Sequence, residues 1–203
     1  MYKIDFNNPI HIHFIGIGGI SMSGLAKILL SEGFTVSGSD SHSSALTDEL
    51  TGDGCLVSVP QSAGNVTNDI DLVVYTAAIH QDNPEFRAAK EAGLPMLTRA
   101  ELLGQIMTMY KNAINIAGTH GKTTTTSMVS EILLAANMDP TISVGGILNS
   151  IGGNTRVGGN KYFVAEACEY TNSFLSFKPT MNIILNVKED HDDFFMEIDD
   201  FRH

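Results

Sequence analysis

The stretch HIHFIGIGGISMSG, residues 11–24, decides how the front of this chain folds. Apolar residues dominate 11–17 and read as a strand; 20–33 read as a helix. Between them stand Gly16, Gly18 and Gly19. Glycines at a strand-to-helix turn let the backbone approach a pyrophosphate, while the helix N-terminus supplies N–H donors and a partial positive charge. About 20 residues further on, GSD at 38–40 ends the next strand and brings Ser39 and Asp40 to the same edge. An acid in that position accepts hydrogen bonds from ribose hydroxyls. The match to GxGxxG is imperfect, because Ser21 holds the third position. The turn therefore indicates a nucleotide diphosphate without distinguishing NAD from another, and Asp40 equally suits a solvated helix cap.

Outward from this turn, strand-like segments at 34–37, 55–59, 71–76 and 95–97 alternate with helix-like stretches at 44–53, 84–92 and 100–110. Such alternation predicts an α/β fold with a parallel sheet and helices on both faces, joined by right-handed crossovers. Thr76 closes the fourth strand, and Ala77 and Ala78 follow it. A second unit begins near residue 110. It contains strands at 112–117, 141–144, 162–166 and 182–187, and a helix at 121–136. The six-glycine string GGILNSIGGNTRVGGN, 145–160, reads as a flexible loop. The expected organisation is a Rossmann-like domain over 1–108 and an incomplete P-loop-type α/β domain over 109–203.

The strand at 112–117 runs into Gly118-Thr119-His120-Gly121-Lys122-Thr123-Thr124. GK[ST] is the working end of a phosphate loop: backbone N–H groups cradle phosphates, Lys122 reaches the β and γ oxygens, and the Thr123 hydroxyl suits Mg²⁺. The standard loop has glycine five residues before its second glycine. Ile116 stands there, so this is the shorter GxxGKT form. Successive threonines are poor helix formers, so helix stability alone does not recommend this string. His120 either touches phosphate or only orients the loop. Glu166 ends an apolar strand, where a buried acid requires a cation or a donor.

Composition narrows the function classes. The chain is 43% hydrophobic and 17% charged, with a net charge of −11. An acidic surface repels nucleic acid and anionic membrane faces, so phosphates must be met at discrete sites. The sequence has neither a membrane-length apolar run nor a signal-peptide pattern, and two cysteines make no disulfide framework. A cytoplasmic protein is expected.

The strings HFIGIGGISMSGLA (13–26), GSD (38–40), AGTHGKTTTT (117–126), EACEYTNSFL (166–175) and NVKEDHDDFF (186–195) together resemble the Mur ligase family, most closely its alanine-adding branch. The resemblance implies a three-domain enzyme that uses ATP and Mg²⁺ or Mn²⁺ to join L-alanine to UDP-N-acetylmuramate through an acyl phosphate. It implies that Gly16, Gly18, Gly19, Ser39, Asp40 and the 76–78 turn face the UDP-sugar. It implies that Lys122 and residues 118–124 bind ATP, and that Thr123, Glu166 and His191 hold the metal. Asp192 stands where the family usually has an apolar residue. The resemblance also implies that 203 residues stop short of the alanine-bearing domain, so these residues alone are expected to be inactive in ligation and to self-associate through exposed apolar surface. The rival readings are a UDP-sugar-binding module without catalysis, the peptide-reattaching branch of the same family, and an NAD-dependent oxidoreductase. The last leaves residues 118–126 and Glu166 unexplained.

Overall fold

The chain divides into two compact units, Met1–Leu103 and Gly104–His203. The structure, a computed structural model, describes residues 2–167 and 175–187. His191 lies outside the described residues.

The first unit runs β1 (His11–Ile15), α1 (Ile20–Ser31), β2 (Thr35–Ser39), α2 (Ala45–Gly52), β3 (Leu56–Ser58), β4 (Leu72–Tyr75), α3 (Pro84–Glu91), β5 (Met96–Thr98) and α4 (Arg99–Met107). Its sheet has the order β3-β2-β1-β4-β5 with every pair parallel. Strand order therefore reverses between β1 and β4, and the crevice beyond their carboxyl ends is where open parallel sheets take ligands. β1 is central and all five of its residues are buried. Its alternation sends Ile12 and Phe14 to one face, His11, His13 and Ile15 to the other. Ile15 packs with Ile70, Val73 and Ala89, against which Phe86 and Met96 also lie.

The second unit runs β6 (Asn112–Ala117), α5 (Lys122–Ala135), β7 (Thr141–Leu148), β8 (Gly153–Arg156), β9 (Tyr162–Glu166) and β10 (Met181–Ile184). Its order is β10-β6-β9-β7-β8, parallel except for β8. Helix α5 covers Ile114, Ile116 and Val164 through Val129 and Leu133.

Residues 145–160 are not a flexible loop, as their glycines lead one to expect. β7 continues to Leu148, a 3₁₀ turn follows at Asn149–Ile151, and Gly152 reverses the chain at φ +68° into β8. Pairing at the sheet edge overrides weak strand propensity here. Arg156 fastens the hairpin by donating to Pro140 O (2.7 Å) and Asp139 Oδ1 (2.5 Å). The sheet accordingly has five strands where four are expected, and β10 ends at Ile184 rather than at 187.

Candidate functional site

Two ligand-competent edges exist, one in each unit, and each follows the first strand of its sheet. In the first unit the chain leaves β1 through Gly16, whose φ of +85° is a conformation that L side chains rarely adopt. The N–H groups of Gly16 and Ile17 donate to Ser39 O at 2.8 and 2.9 Å, which holds the turn against the end of β2. Asp40 Oδ2 accepts the Gly18 N–H at 2.9 Å, and its Oδ1 accepts the Ser41 N–H at 2.7 Å. Asp40 is thus tied to the glycine turn and is not the cap of α2, which is Ser44 in a capping box with Thr47. A Cβ on Gly18 would stand 2.9 Å from Asp40 Oδ2 and 3.1 Å from Thr47 Cγ2. Thr76 Cγ2 reaches the open side of Gly16, while Ala77 and Ala78 are exposed. The structure therefore gathers Gly16, Gly18, Asp40 and Thr76 at one edge. Ser39 contributes its carbonyl, because its side chain is buried.

Beneath this edge lies a buried polar run absent from the sequence reading. Glu85, 0% exposed on α3, accepts from Ser39 Oγ, from Asn65 Nδ2 (2.6 Å) and from the Ser62 N–H (3.1 Å), and pairs with His13 Nε2 (3.4 Å). Burial raises the Glu85 carboxyl pKa, but the bonds from His13, Ser39 and Asn65 outweigh it and leave the group below its usual range. Ser37 Oγ lies 2.8 Å from both His13 Nδ1 and His11 Nε2, and His11 Nδ1 is 2.9 Å from Asp69 Oδ2. Arg99 is a second unanticipated residue. The first residue of α4, directly after β5, it donates from Nη1 to Ser21 Oγ in the first turn of α1, 3.0 Å away.

In the second unit, Gly121 takes a left-handed φ of +87° and opens α5. Lys122 Nζ folds back onto Gly118 O (2.7 Å) and Thr119 O (3.1 Å). Thr123 Oγ1 donates to Glu166 Oε2 at 2.9 Å, so the expected donor for this acid is a threonine from the loop. His120 is exposed, and its backbone is held by Asn186. Thr124 is exposed on α5. Glu166 lies across Gly145: a Cβ there would overlap Oε1 and stand 3.0 Å from Cδ. A glycine inside a strand marks close approach, and Gly145 in β7 is such a position, although its place in a six-glycine string reads as loop.

The pair Thr123–Glu166 passes a simple test as a site for a hard divalent ion. Both donors are oxygens, and adjacent ligands of an octahedron with bonds of about 2.1 Å lie about 3 Å apart, matching the observed 2.9 Å. No group of three His, Cys, Asp or Glu side chains converges anywhere among the described residues.

Cap chemistry separates the helices. Ser44 and Asn83 cap α2 and α3 with side-chain bonds, and Thr98 exchanges bonds with Glu101 at the start of α4. α1 and α5 begin at Gly19 and Gly121, have no side-chain cap bond and carry no acid in the first turn. Neither first turn therefore has the side-chain acceptor that the other helices carry, the arrangement that suits an anion.

Residues 11–111 match the Mur ligase family catalytic domain, and residues 116–203 the Mur ligase middle domain. The chain is 93% identical to UDP-N-acetylmuramate–L-alanine ligase of Lachnospira eligens and 70% identical to that of Agathobacter rectalis, over all 203 residues. It spans 44% of the length of each. Among solved structures, it resembles the UDP-N-acetylmuramate-alanine ligase of Thermotoga maritima, with TM-score 0.83 and 37% identity over 91% of this chain and 43% of that one. The UDP-N-acetylmuramate:L-alanyl-gamma-D-glutamyl-meso-diaminopimelate ligase of Neisseria meningitides gives TM-score 0.86 at 28% identity, over 96% of this chain and 66% of that one.

Proposed function

Because the chain belongs to the Mur ligase family, we propose that its residues 1–108 bind UDP-N-acetylmuramate and its residues 109–203 bind ATP, as parts of a cytoplasmic ligase that adds L-alanine during peptidoglycan precursor synthesis. The observation that carries this reading is the pair of uncapped helices, α1 and α5, each opened by a glycine string beyond the first strand of its sheet. Identity of 93% to an alanine-adding relative, against 28% to the peptide-adding one, supports alanine as the co-substrate.

In the first unit, the N–H groups of the 16–19 turn and of the first turn of α1 receive the pyrophosphate. Arg99, tethered at Ser21, supplies the nearby positive charge. Asp40 holds Gly18 in place and faces the uridine side, with the 76–78 turn opposite.

In the second unit, Lys122 exchanges the Gly118 and Thr119 carbonyls for phosphate oxygens. Thr123 and Glu166 hold Mg²⁺ or Mn²⁺, and His191 joins them in this reading. When bound, the metal supplies charge neutralisation on the phosphoryl oxygens. The lactyl carboxylate oxygen bonds to the γ-phosphorus as the bond to ADP breaks. The alanine nitrogen then bonds to the acyl carbon, loses its proton, and phosphate departs. Lys122 and the loop amides stabilise charge on the transferring group throughout.

Isothermal titration of this chain with UDP-N-acetylmuramate, and then with ATP and Mg²⁺ at low salt, tests the reading. UDP-sugar binding that is lost in Asp40→Ala is the expected result. A chain that ignores UDP-sugar and binds NAD belongs with the oxidoreductase reading instead.

A further inference from the structure

The loop between β6 and α5 has a partner with no counterpart in the GxxGKT pattern. Beyond β10 the chain keeps running beside the loop: the Leu185 N–H donates to Ala117 O at 3.0 Å, and Asn186 O accepts the Thr119 N–H at 3.3 Å. The Asn186 side chain then continues the pairing. Its Oδ1 accepts the His120 N–H at 3.0 Å and its Nδ2 donates to His120 O at 2.9 Å. One side-chain amide thus pairs with residue 120 at both donor and acceptor, as a backbone peptide does in a strand ladder. The fit is close: a Cβ on Gly118, at φ +140°, would stand 3.1 Å from both N and O of Asn186.

We infer that Asn186 is a positioning residue of the phosphate loop, occupying the Thr119 and His120 amides so that phosphate is gripped only from Gly121 onward. The inference rests on the reading of 118–124 as a phosphate loop and adds to it a division of labour. The first half of the loop is fastened to the β10 side and the second half is presented, uncapped, to the anion. A loop held this way needs fewer residues than one that must wrap a phosphate with all its amides, which accounts for Ile116 standing in place of a glycine. Holding the loop in its binding shape before the ligand arrives strengthens binding by lowering the ordering cost. Asparagine is specified by chemistry. Aspartate has the acceptor but no donor for His120 O, and adds negative charge next to the triphosphate; alanine has neither group.

Residue-resolved amide exchange on the 203-residue chain, with and without MgADP, tests this against Asn186→Ala and Asn186→Asp. In the ligand-free wild-type chain the Thr119 and His120 amides should exchange slowly, and in Asn186→Ala the His120 amide should exchange about tenfold faster or more. Saturating MgADP should leave those two amides unchanged and slow those of 121–124. MgADP affinity should fall about tenfold or more in Asn186→Ala and further in Asn186→Asp, while affinity for UDP-N-acetylmuramate stays put. The inference is overturned if Asn186→Ala leaves His120 exchange and MgADP affinity unchanged. It is equally overturned if MgADP newly protects Thr119 and His120 in the wild-type chain, since phosphate then takes those donors. Failure of MgADP to bind the wild-type chain at all counts against the nucleotide reading of the loop, and the ligand-free comparison still decides whether Asn186 holds it.

Discussion

Replacing Gly145 by alanine should separate stability from metal-dependent nucleotide binding. Gly145 does not have a left-handed φ, so alanine can adopt its backbone. The added methyl would overlap Glu166 Oε1 and sit 3.0 Å from Cδ, which forces the carboxylate away from Thr123. The part that must move is the far end of a flexible side chain on a half-buried residue, so the fold loses one hydrogen bond to a charged group, about 1.5 kcal/mol. Against this, alanine in a strand recovers roughly 0.5–1 kcal/mol of chain entropy relative to glycine. The net change in stability should therefore stay within about 1 kcal/mol. Binding is different, because one of the two oxygens proposed to hold the metal is displaced. Supporting groups at metal sites typically cost 10–100-fold when disturbed, or about 1.4–2.8 kcal/mol. Calorimetric titration with ATP in Mg²⁺ and in EDTA, alongside thermal unfolding, reads both quantities. The expected pattern is a preserved melting temperature, a 10–100-fold loss with Mg²⁺, little change in EDTA, and no further loss on adding Glu166→Ala. Unaltered MgATP binding in Gly145→Ala, with a clear loss in Glu166→Ala, would refute the argument that this glycine makes room for the working position of the carboxylate.

Gly18→Val should abolish UDP-sugar binding by crowding Asp40 and Thr47, whereas Gly52→Ala, with nothing within 4 Å, should leave the same titration unchanged. Glu85→Ala should destabilise the first unit by about 3–5 kcal/mol, because it strands buried partners. The sign of the pH effect follows from the lowered Glu85 carboxyl. Its contribution is full above the unfolded value near 4.3 and is lost as pH falls through the lower folded one; urea unfolding between pH 3 and 7 should show an acid limb that Glu85→Gln flattens. Burial, with Asp53 nearby, pushes the Cys55 thiol up to about 12, so peptide mapping after iodoacetamide near pH 8 should find Cys55 unlabelled until the chain unfolds. Met181 and Ile184 on β10 and Met128 and Ile132 on α5 are exposed, and light scattering should detect concentration-dependent association of this chain; a monodisperse monomer across the concentration range speaks against it.

Much of the architecture was legible because two signals coincide: apolar runs of strand length, and glycine strings placed directly after them. The strands around β1 and the helices after each glycine turn follow from that pattern. The β7–β8 hairpin did not, because its glycines suggest a breaker and only pairing at the sheet edge reveals a strand. Residues at the turns, Gly16, Gly18 and Lys122, carry local signatures. Glu85, Arg99 and Asn186 carry none: an acid on an amphipathic helix reads as solvated, and an asparagine within the expected strand at 182–187 reads as one more strand residue. Their roles arise from partners 46, 78 and 66 residues away in the chain, a relation that periodicity cannot express.

The run under the glycine turn has fewer hydrogens to give than bonds to fill. Asp69 and Glu85 stand at its two ends, and as carboxylates both can only accept. His11 must therefore offer a proton at Nδ1, and His13 one at Nε2. Two neutral rings then have bare nitrogens facing Ser37, whose hydroxyl has a single hydrogen to give. The hydroxyl can therefore donate to only one ring at a time, and a turn of it passes that bond between His11 and His13. Ser37 Oγ thus joins both rings through one hydroxyl, and Ser37→Ala should remove both links at once.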